Sequence, residues 1–220
     1  MTAYFAFNDS FWAMRLARFR RRARRLGGFA WASLTARQGD PLASALTPTA
    51  WGFVAGWFGL AAAHASPAVL IASLALFVPL CIAALIDALY LVLPDGPLLA
   101  IAGVGLLVRL SLSPDEIGSF LGAGLFAYAA LWLTARCYQA LRGRAGLGGG
   151  DPLLFALAGL WVGWDGLAPC LLLATASALL SVLLAWRRGG GVRVGDPLPF
   201  GLHIALGLWL AWTFGLQDTW

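Results

Sequence analysis

The sequence predicts an all-α fold, a polytopic bundle of about seven transmembrane helices that follows a basic amphipathic helix. Of the 220 residues, 60% are hydrophobic and 11% are charged, and the mean hydropathy is +0.80. A soluble domain carries about a quarter charged residues, so this chain has too few charges for a surface that faces water. These values exclude an ordinary cytosolic enzyme, a disordered tail and a disulfide scaffold.

The first 49 residues carry the largest block of positive charge. All fifteen basic residues of the chain are arginines, and seven of them lie within Arg15–Arg25. Apolar residues follow one helical face here, at Trp12, Leu16, Phe19, Ala23 and Leu26. The pattern predicts an interfacial helix whose arginines contact anionic lipid headgroups. A solvated basic segment is the alternative, and nucleic-acid binding is not expected beside a membrane domain.

Residues 50–220 are predicted to form one transmembrane domain. Its seven apolar runs are Ala50–Ala63, Ala68–Ile86, Leu98–Leu112, Ile117–Ala135, Leu153–Trp164, Leu167–Trp186 and Leu202–Leu216. A full crossing needs about 20 residues, so the shorter runs are expected to use flanking residues. The interiors of the runs carry almost no ionisable side chains, which disfavours a small transporter.

The charged loops predict the orientation in the membrane. The loop after the fourth run carries Arg136, Arg142 and Arg144, whereas the loop before it carries Asp115 and Glu116. Cytoplasmic loops are enriched in arginine and lysine. The arginine loops are therefore predicted to lie in the cytoplasm, with the N-terminus inside and the C-terminus outside.

Two aspartates at the ends of runs are the candidate catalytic residues. Asp87 closes the second run, where a carboxylate faces the negative end of the helix dipole, so a structural role explains it poorly. Asp151 follows Gly148, Gly149 and Gly150 and opens the fifth run. An aspartate at the N-cap followed by proline is a common helix start, so Asp151 taken alone is interpreted as a helix cap.

The predicted topology places Asp87 and Asp151 on the same cytoplasmic face. Two close carboxylates in a poorly hydrated site do not both ionise readily, and the pair titrates as a unit. Such a pair can activate a water as general base and protonate a leaving nitrogen as general acid. Glycines before Asp151 lack a Cβ and would let backbone or substrate approach closely.

These motifs resemble those of the type IV prepilin peptidases, which are GxGD-type aspartic membrane proteases. Ile86-Asp87 is followed by Leu93-Pro94-Asp95, and Asp151 stands 64 residues after Asp87, at the end of Gly146-Leu147-Gly148-Gly149-Gly150-Asp151. The segment Pro197-Leu198-Pro199-Phe200-Gly201 is similar to the Pro-Ile-Pro-Phe-Gly segment of that family. The resemblance covers the chain from about Ala68 to the C-terminus.

The resemblance implies that Asp87 and Asp151 are the catalytic aspartates of a membrane endopeptidase, with Gly148, Gly149, Gly150 and Asp95 as supporting residues. The implied substrates are prepilins or pilin-like subunits of type II secretion systems. Their short basic leader would be cut at the cytoplasmic face of the bacterial inner membrane. Asp95 also lies in a Pro-Asp-Gly-Pro turn sequence, and its residues alone favour that structural role.

Departures from the family pattern leave an alternative open. Pro152-Leu153 stand where family members commonly carry Phe-Lys, which favours a catalytically inactive paralogue that acts as a scaffold or assembly partner in a pilus or secretion system. Longer members also carry a cytoplasmic zinc domain with two CxxC pairs. The three cysteines here form no CxxC pair, so a short form without zinc, another metal or a cofactor is expected, and N-methylation is unsupported. The oligomeric state is not predicted.

Overall fold

The computed structural model describes residues 41–62, 64–143, 146–187 and 198–215, with side chains from Thr49 onward. These residues form helices and one short 3-10 turn, Pro114–Glu116, and the described part contains no strand. The helices are α1 (Pro41–Ala62), α2 (Pro67–Tyr90), α3 (Asp95–Leu112), α4 (Ile117–Arg142), α5 (Asp151–Arg187) and α6 (Phe200–Gly215). The predicted all-α class is confirmed. The basic stretch Arg15–Arg25 lies outside the described residues.

Local sequence explains where α2 begins and where α2 and α4 end. Ser66 caps the start of α2, because its hydroxyl accepts a hydrogen bond from the Val69 amide, and Pro67 follows. Leu91 ends α2 in the left-handed region, at φ 57°. Gly143 ends α4 in the same region, at φ 68°. The resulting short connections keep consecutive helices antiparallel.

Helix α5 is two helices that meet at Gly163. A straight helix of its 37 residues would be about 56 Å long, well beyond the membrane core of about 30 Å. Gly163 has φ 64° and ψ −165°, a conformation that is essentially restricted to glycine. We call the halves α5a (151–162) and α5b (164–187). They correspond to the fifth and sixth apolar runs.

Contacts with α6 show that the chain reverses direction at this glycine. In α5a, Trp161 packs edge to face against Trp212, with ring centroids 5.0 Å apart. In α5b, the backbone of Cys170 lies against Gly207, and Ser177 hydrogen-bonds His203 over 2.9 Å. Residue numbers therefore rise in α5b as they fall in α6, so the two run antiparallel.

All seven helical segments thus alternate between two ends of the bundle. One end, here the aspartate end, holds the end of α2, the start of α5a and the start of α6, and it also carries Arg136, Arg142 and Arg187. The other end, here the far end, holds Gly163 and the turn between α3 and α4, with Asp115, Glu116 and Asp165. This charge separation matches the loop pattern of the sequence.

The chain is a multi-pass membrane protein. In the described part, α2, α3, α5 and the stretch Pro114–Arg142 are each long and apolar enough to cross a membrane, while residues 49–62 and α6 are shorter apolar helices. The start of α1 at Pro41 supplies the flanking residues that its apolar run lacked. Exposed leucines, isoleucines and phenylalanines cover the outside of the bundle, as lipid contact requires.

Helix α6 is the central helix of the bundle, and buried indoles fix its position. The Trp209 N–H donates to the carbonyl of Phe53 in α1, and the Trp212 N–H donates to the hydroxyl of Ser73 in α2, both over 2.9 Å. Both indoles are almost completely buried, and a buried indole N–H needs such a partner. These bonds hold α6 between α1 and α2, and so set the position of its first turn at the aspartate end.

Candidate active site

Asp87 lies in the last turn of α2 and is only 5% exposed. Its Oδ2 accepts a hydrogen bond of 2.9 Å from the amide of Leu202, in the first turn of α6, and the backbone of Gly201 also interacts with the carboxyl group. The first amides of a helix lack partners within it and carry its positive dipole end. Helix α6 therefore offsets the unfavourable position of Asp87 on its own helix.

Asp151 is the first residue of α5a and is 4% exposed. The interpretation of this residue as the N-cap is wrong, because the first helical bond runs from the Leu154 amide to the carbonyl of Gly150. The Asp151 Oδ2 accepts a bond of 2.9 Å from the amide of Gly148, in the loop before the helix. The other oxygen, Oδ1, accepts no hydrogen bond from the described part of the chain and is free for other chemistry.

The structure brings the two candidate acids to the same end of the bundle from different helices. The two carboxyl groups are close enough for the charge of Asp87 to influence Asp151. Leu93, from the turn after α2, packs between the backbone segments that hold them. Its side chain lies against Gly150 on one side and Gly201 on the other. This leucine therefore spaces the two segments whose backbone amides bind the acids.

Packing around the predicted glycines shows which of them the site requires. A Cβ on Gly150 would lie 2.9 Å from the Leu93 Cβ, and a Cβ on Gly148 would lie 3.0 Å from the Asp151 Oδ2. Gly149 has nothing within 4 Å of its Cβ position. Gly148 thus allows close approach to the Asp151 carboxyl group, and Gly150 allows close approach to Leu93. No described neighbour requires a glycine at position 149.

Asp95 does not join the pair. It is the first residue of α3 and is exposed, and its side chain makes no hydrogen bond within the described ranges. An acid in the first turn of a helix interacts favourably with the dipole. The structure thus gives Asp95 a local reason to be there, and its proposed role in substrate binding stays a prediction.

Three residues that hold this site were missed as site residues: Leu93, Gly201 and Leu202. A Cβ on Gly201 would lie 2.9 Å from the Asp87 Oδ2 and 3.0 Å from the Leu93 Cδ2. The Pro-Phe-Gly segment was recognised only as a match to the family. Its geometric meaning, that the start of α6 approaches Asp87 so closely that only glycine fits, needs the folded chain.

The described side chains offer no metal site. No group of three or more histidine, cysteine, aspartate or glutamate residues that could hold a metal ion occurs among them. The available chemistry is that of two buried carboxyl groups, each fixed by a backbone amide. Such a pair can share one proton, so that one group acts as base and the other as acid.

Comparison with known proteins adds to this geometry. Residues 74–186, just over half of the chain, match the profile of the type IV leader peptidase family. The chain belongs to that family. The matched stretch contains Asp87, Asp151 and the loop glycines, and the resemblance to the type IV prepilin peptidases is confirmed.

Curated relatives in this family carry the name prepilin leader peptidase/N-methyltransferase. That of Burkholderia pseudomallei is 39% identical over 121 residues, which are 52% of this chain and 37% of the relative. That of Pseudomonas aeruginosa is 32% identical over 136 residues, 61% of this chain and 46% of the relative. The match thus spans less than half of each of these relatives. No solved structure matches the chain.

Proposed function

We propose that this family member is an aspartic endopeptidase that removes the short basic leader from prepilins or pilin-like subunits of type II secretion systems. The observation that carries the proposal is the pair of buried carboxyl groups, Asp87 and Asp151, which come from separate helices and lie close enough for the charge of one to influence the other. The names of the relatives support the substrate class.

In the proposed reaction the ionised carboxylate removes a proton from a water molecule, which attacks the carbonyl carbon of the leader's last peptide bond. The protonated carboxyl group donates its proton to the leaving nitrogen when the C–N bond breaks. The products are a free leader carboxylate and a new amino terminus on the pilin. The amides of Leu202 and Gly148 hold the two carboxyl groups in place, which is positioning prepared before the substrate binds.

The proposed location is the bacterial inner membrane, with the aspartate end in the cytoplasm. This end carries Arg136, Arg142 and Arg187, whereas the far end carries Asp115, Glu116 and Asp165. The arginine-rich end is expected inside. A basic leader that protrudes from the cytoplasmic face would reach the carboxyl pair without crossing the bilayer.

The second candidate is a non-catalytic assembly partner, which the replacement of the family's Phe-Lys by Pro152-Leu153 favours. Pro152 is buried as the second residue of α5a, where proline is well tolerated. Leu153 is 42% exposed, so a lysine there would lie on the surface. Neither replacement disturbs the start of α5a, so this geometry favours the peptidase over the assembly partner.

The test is cleavage by the purified full chain in nanodiscs, with a recombinant prepilin as substrate and mass spectrometry of the products. We expect two fragments that meet at the junction between the basic leader and the apolar helix. The same precursor with its leader basic residues replaced by Gln controls for leader recognition. An intact precursor under conditions in which a curated relative cuts it would overturn the proposal in favour of the assembly partner.

A further inference from the structure

A cavity of about 1030 Å³ opens at the far end of the bundle, away from the carboxyl pair. Its charged lining residues are Arg109, Glu116 and Asp165, and its aromatic ones are Phe120, Trp164, Trp212 and Phe214. Small-ligand sites typically have volumes of about 300–1,000 Å³, so the space is large enough for a lipid headgroup. The proposed peptidase reaction uses none of these residues.

Arg109 is a buried arginine, only 7% exposed. Its Nη2 donates to the carbonyl of Trp161, two residues before the bend at Gly163. Its Nε is buried and has no hydrogen-bond partner among the described residues. The described residues provide no ion pair for it. A buried cation is costly unless an anion compensates it, so the guanidinium points to an absent anionic partner.

The residues around Arg109 limit which kind of anionic ligand the cavity can bind. The Phe120 ring lies 3.8 Å from the guanidinium carbon and the Trp212 ring 5.5 Å from it; they cover it without neutralising its charge. Glu116 is close enough for its charge to act on Arg109, and Asp165 lines the same cavity. A ligand with only negative charge would approach two carboxylates as well as the arginine, which is unfavourable.

The positive and the negative side chains of the cavity belong to different depths in the membrane. Arg109 belongs to the last turn of α3, whereas Glu116 lies in the turn after this helix and Asp165 lies two residues beyond Gly163. The side chain of Arg109 therefore starts deeper in the membrane than those of Glu116 and Asp165. In a phospholipid with an amino headgroup the phosphate likewise lies deeper than the ammonium group. Trp164, which is exposed beside the cavity, suits the interface where headgroups lie.

We propose that this cavity binds the headgroup of a phospholipid that carries both a phosphate and a primary ammonium group, with the phosphate on Arg109 and the ammonium group on Glu116 and Asp165. Such a lipid would satisfy the arginine and both acids together. It would also fill the space between α3, the Gly163 bend and the end of α6. The proposal is independent of the peptidase reaction at the other end of the bundle.

The test measures thermal unfolding of the delipidated full chain in detergent, with one additive at a time: phosphatidylethanolamine, phosphatidylglycerol, phosphatidylcholine or inorganic phosphate. We expect phosphatidylethanolamine to stabilise the protein with an apparent affinity at least about tenfold above that of the other two lipids, which is about 1.4 kcal/mol. Stabilisation by inorganic phosphate alone would show a free-anion site and overturn the lipid assignment. Equal stabilisation by the three lipids would also overturn the proposal.

Variants separate the two halves of the headgroup. Arg109→Gln should lose the response to phosphatidylethanolamine, and Arg142→Gln, at an exposed position of the aspartate end, is the matched control. Because Arg109→Gln also removes the bond to Trp161, the double variant Glu116→Gln/Asp165→Asn tests the site with Arg109 intact. This variant should reverse the preference, towards phosphatidylglycerol. An unchanged preference would contradict the role of the ammonium group.

Discussion

At the scale of single residues, the active-site proposal depends on how two carboxyl groups are held. Each accepts a hydrogen bond from a backbone amide of another segment, Leu202 for Asp87 and Gly148 for Asp151. Leu93 spaces those segments. Only proline removes a backbone N–H, and it also restricts the backbone, so the glycines that let the segments approach are the cleaner test of the geometry.

Gly201→Ala is expected to impair cleavage by about 100-fold, because misplacement of a reacting group by about 1 Å has costs of that order. The new Cβ would lie 2.9 Å from the Asp87 Oδ2, so the carboxyl group or α6 must move. Gly103→Ala is the control, since Gly103 is also helical and its Cβ position has nothing within 4 Å. Initial rates in nanodiscs measure both variants, and a Gly201→Ala rate equal to that of the parent would contradict the described approach.

Leu153→Lys tests whether the missing family cation matters. Because Leu153 is 42% exposed, the new charge should lie in solvent and change the cleavage rate by less than about fivefold, since exposed charges contribute about 1 kcal/mol or less. Leu141→Lys, at an exposed leucine near the end of α4 at the aspartate end, controls for the added charge. A parent chain without activity that gains cleavage on Leu153→Lys would support the inactive paralogue.

A site residue could be predicted from the sequence where a local rule distinguishes it from its neighbours. Asp87 was a candidate because an acid is unfavourable at a helix C-terminus, and the structure explains its presence by the amides at the start of α6. Leu93 was not predictable, because its role depends on two glycines far away in sequence. A leucine in an apolar chain gives no signal of that kind.

At the scale of elements, the hairpin of α5a and α5b determines where Asp151 lies. Helix α5a runs from Asp151 at the aspartate end to the far end, where Gly163 reverses the chain and α5b returns. Two adjacent apolar runs, the fifth and the sixth, predicted the two helices of this hairpin. They did not identify Gly163 as the turning point, because the left-handed φ of that glycine is visible only in the backbone.

Gly163→Ala is expected to destabilise the protein by about 1–3 kcal/mol, the usual cost of a non-glycine residue in such a conformation. The new Cβ would also lie 2.9 Å from the Phe120 ring. The midpoint of thermal unfolding measures the effect. Gly118→Ala is the control, because its Cβ position is open. Equal midpoints for the two variants would argue against the described bend.

At the scale of the whole molecule, composition and hydropathy predicted an all-helical membrane bundle, and the structure confirms it. Alternation of charged loops also predicted which helix ends share a side. The structure groups the ends in the same way, with Arg136 and Arg142 beside the carboxyl pair and Asp115 at the far end. The distances within the site depend on how α6 packs between α1 and α2, which no local pattern reports.

The proposed orientation predicts the accessibility of cysteines. Cys137 is exposed near the end of α4, so it should resist a membrane-impermeant maleimide in intact spheroplasts and react after permeabilisation. Asp115→Cys in a Cys137→Ser background should react in intact spheroplasts, because Asp115 is exposed at the far end. Cys137→Ser alone controls for label on other cysteines. The reverse pattern would place the carboxyl pair outside the cytoplasm.

The most direct measurement of the central claim is prepilin cleavage by Asp87→Asn, Asp151→Asn and the double variant, with Asp115→Asn, at an exposed position of the far end, as the control. Groups that act as one unit lose activity non-additively, and an amide cannot exchange the proton. We therefore expect each single variant to be as inactive as the double variant, while the control remains active. Cleavage near the parent rate by either single variant would contradict the carboxyl pair as the catalytic site.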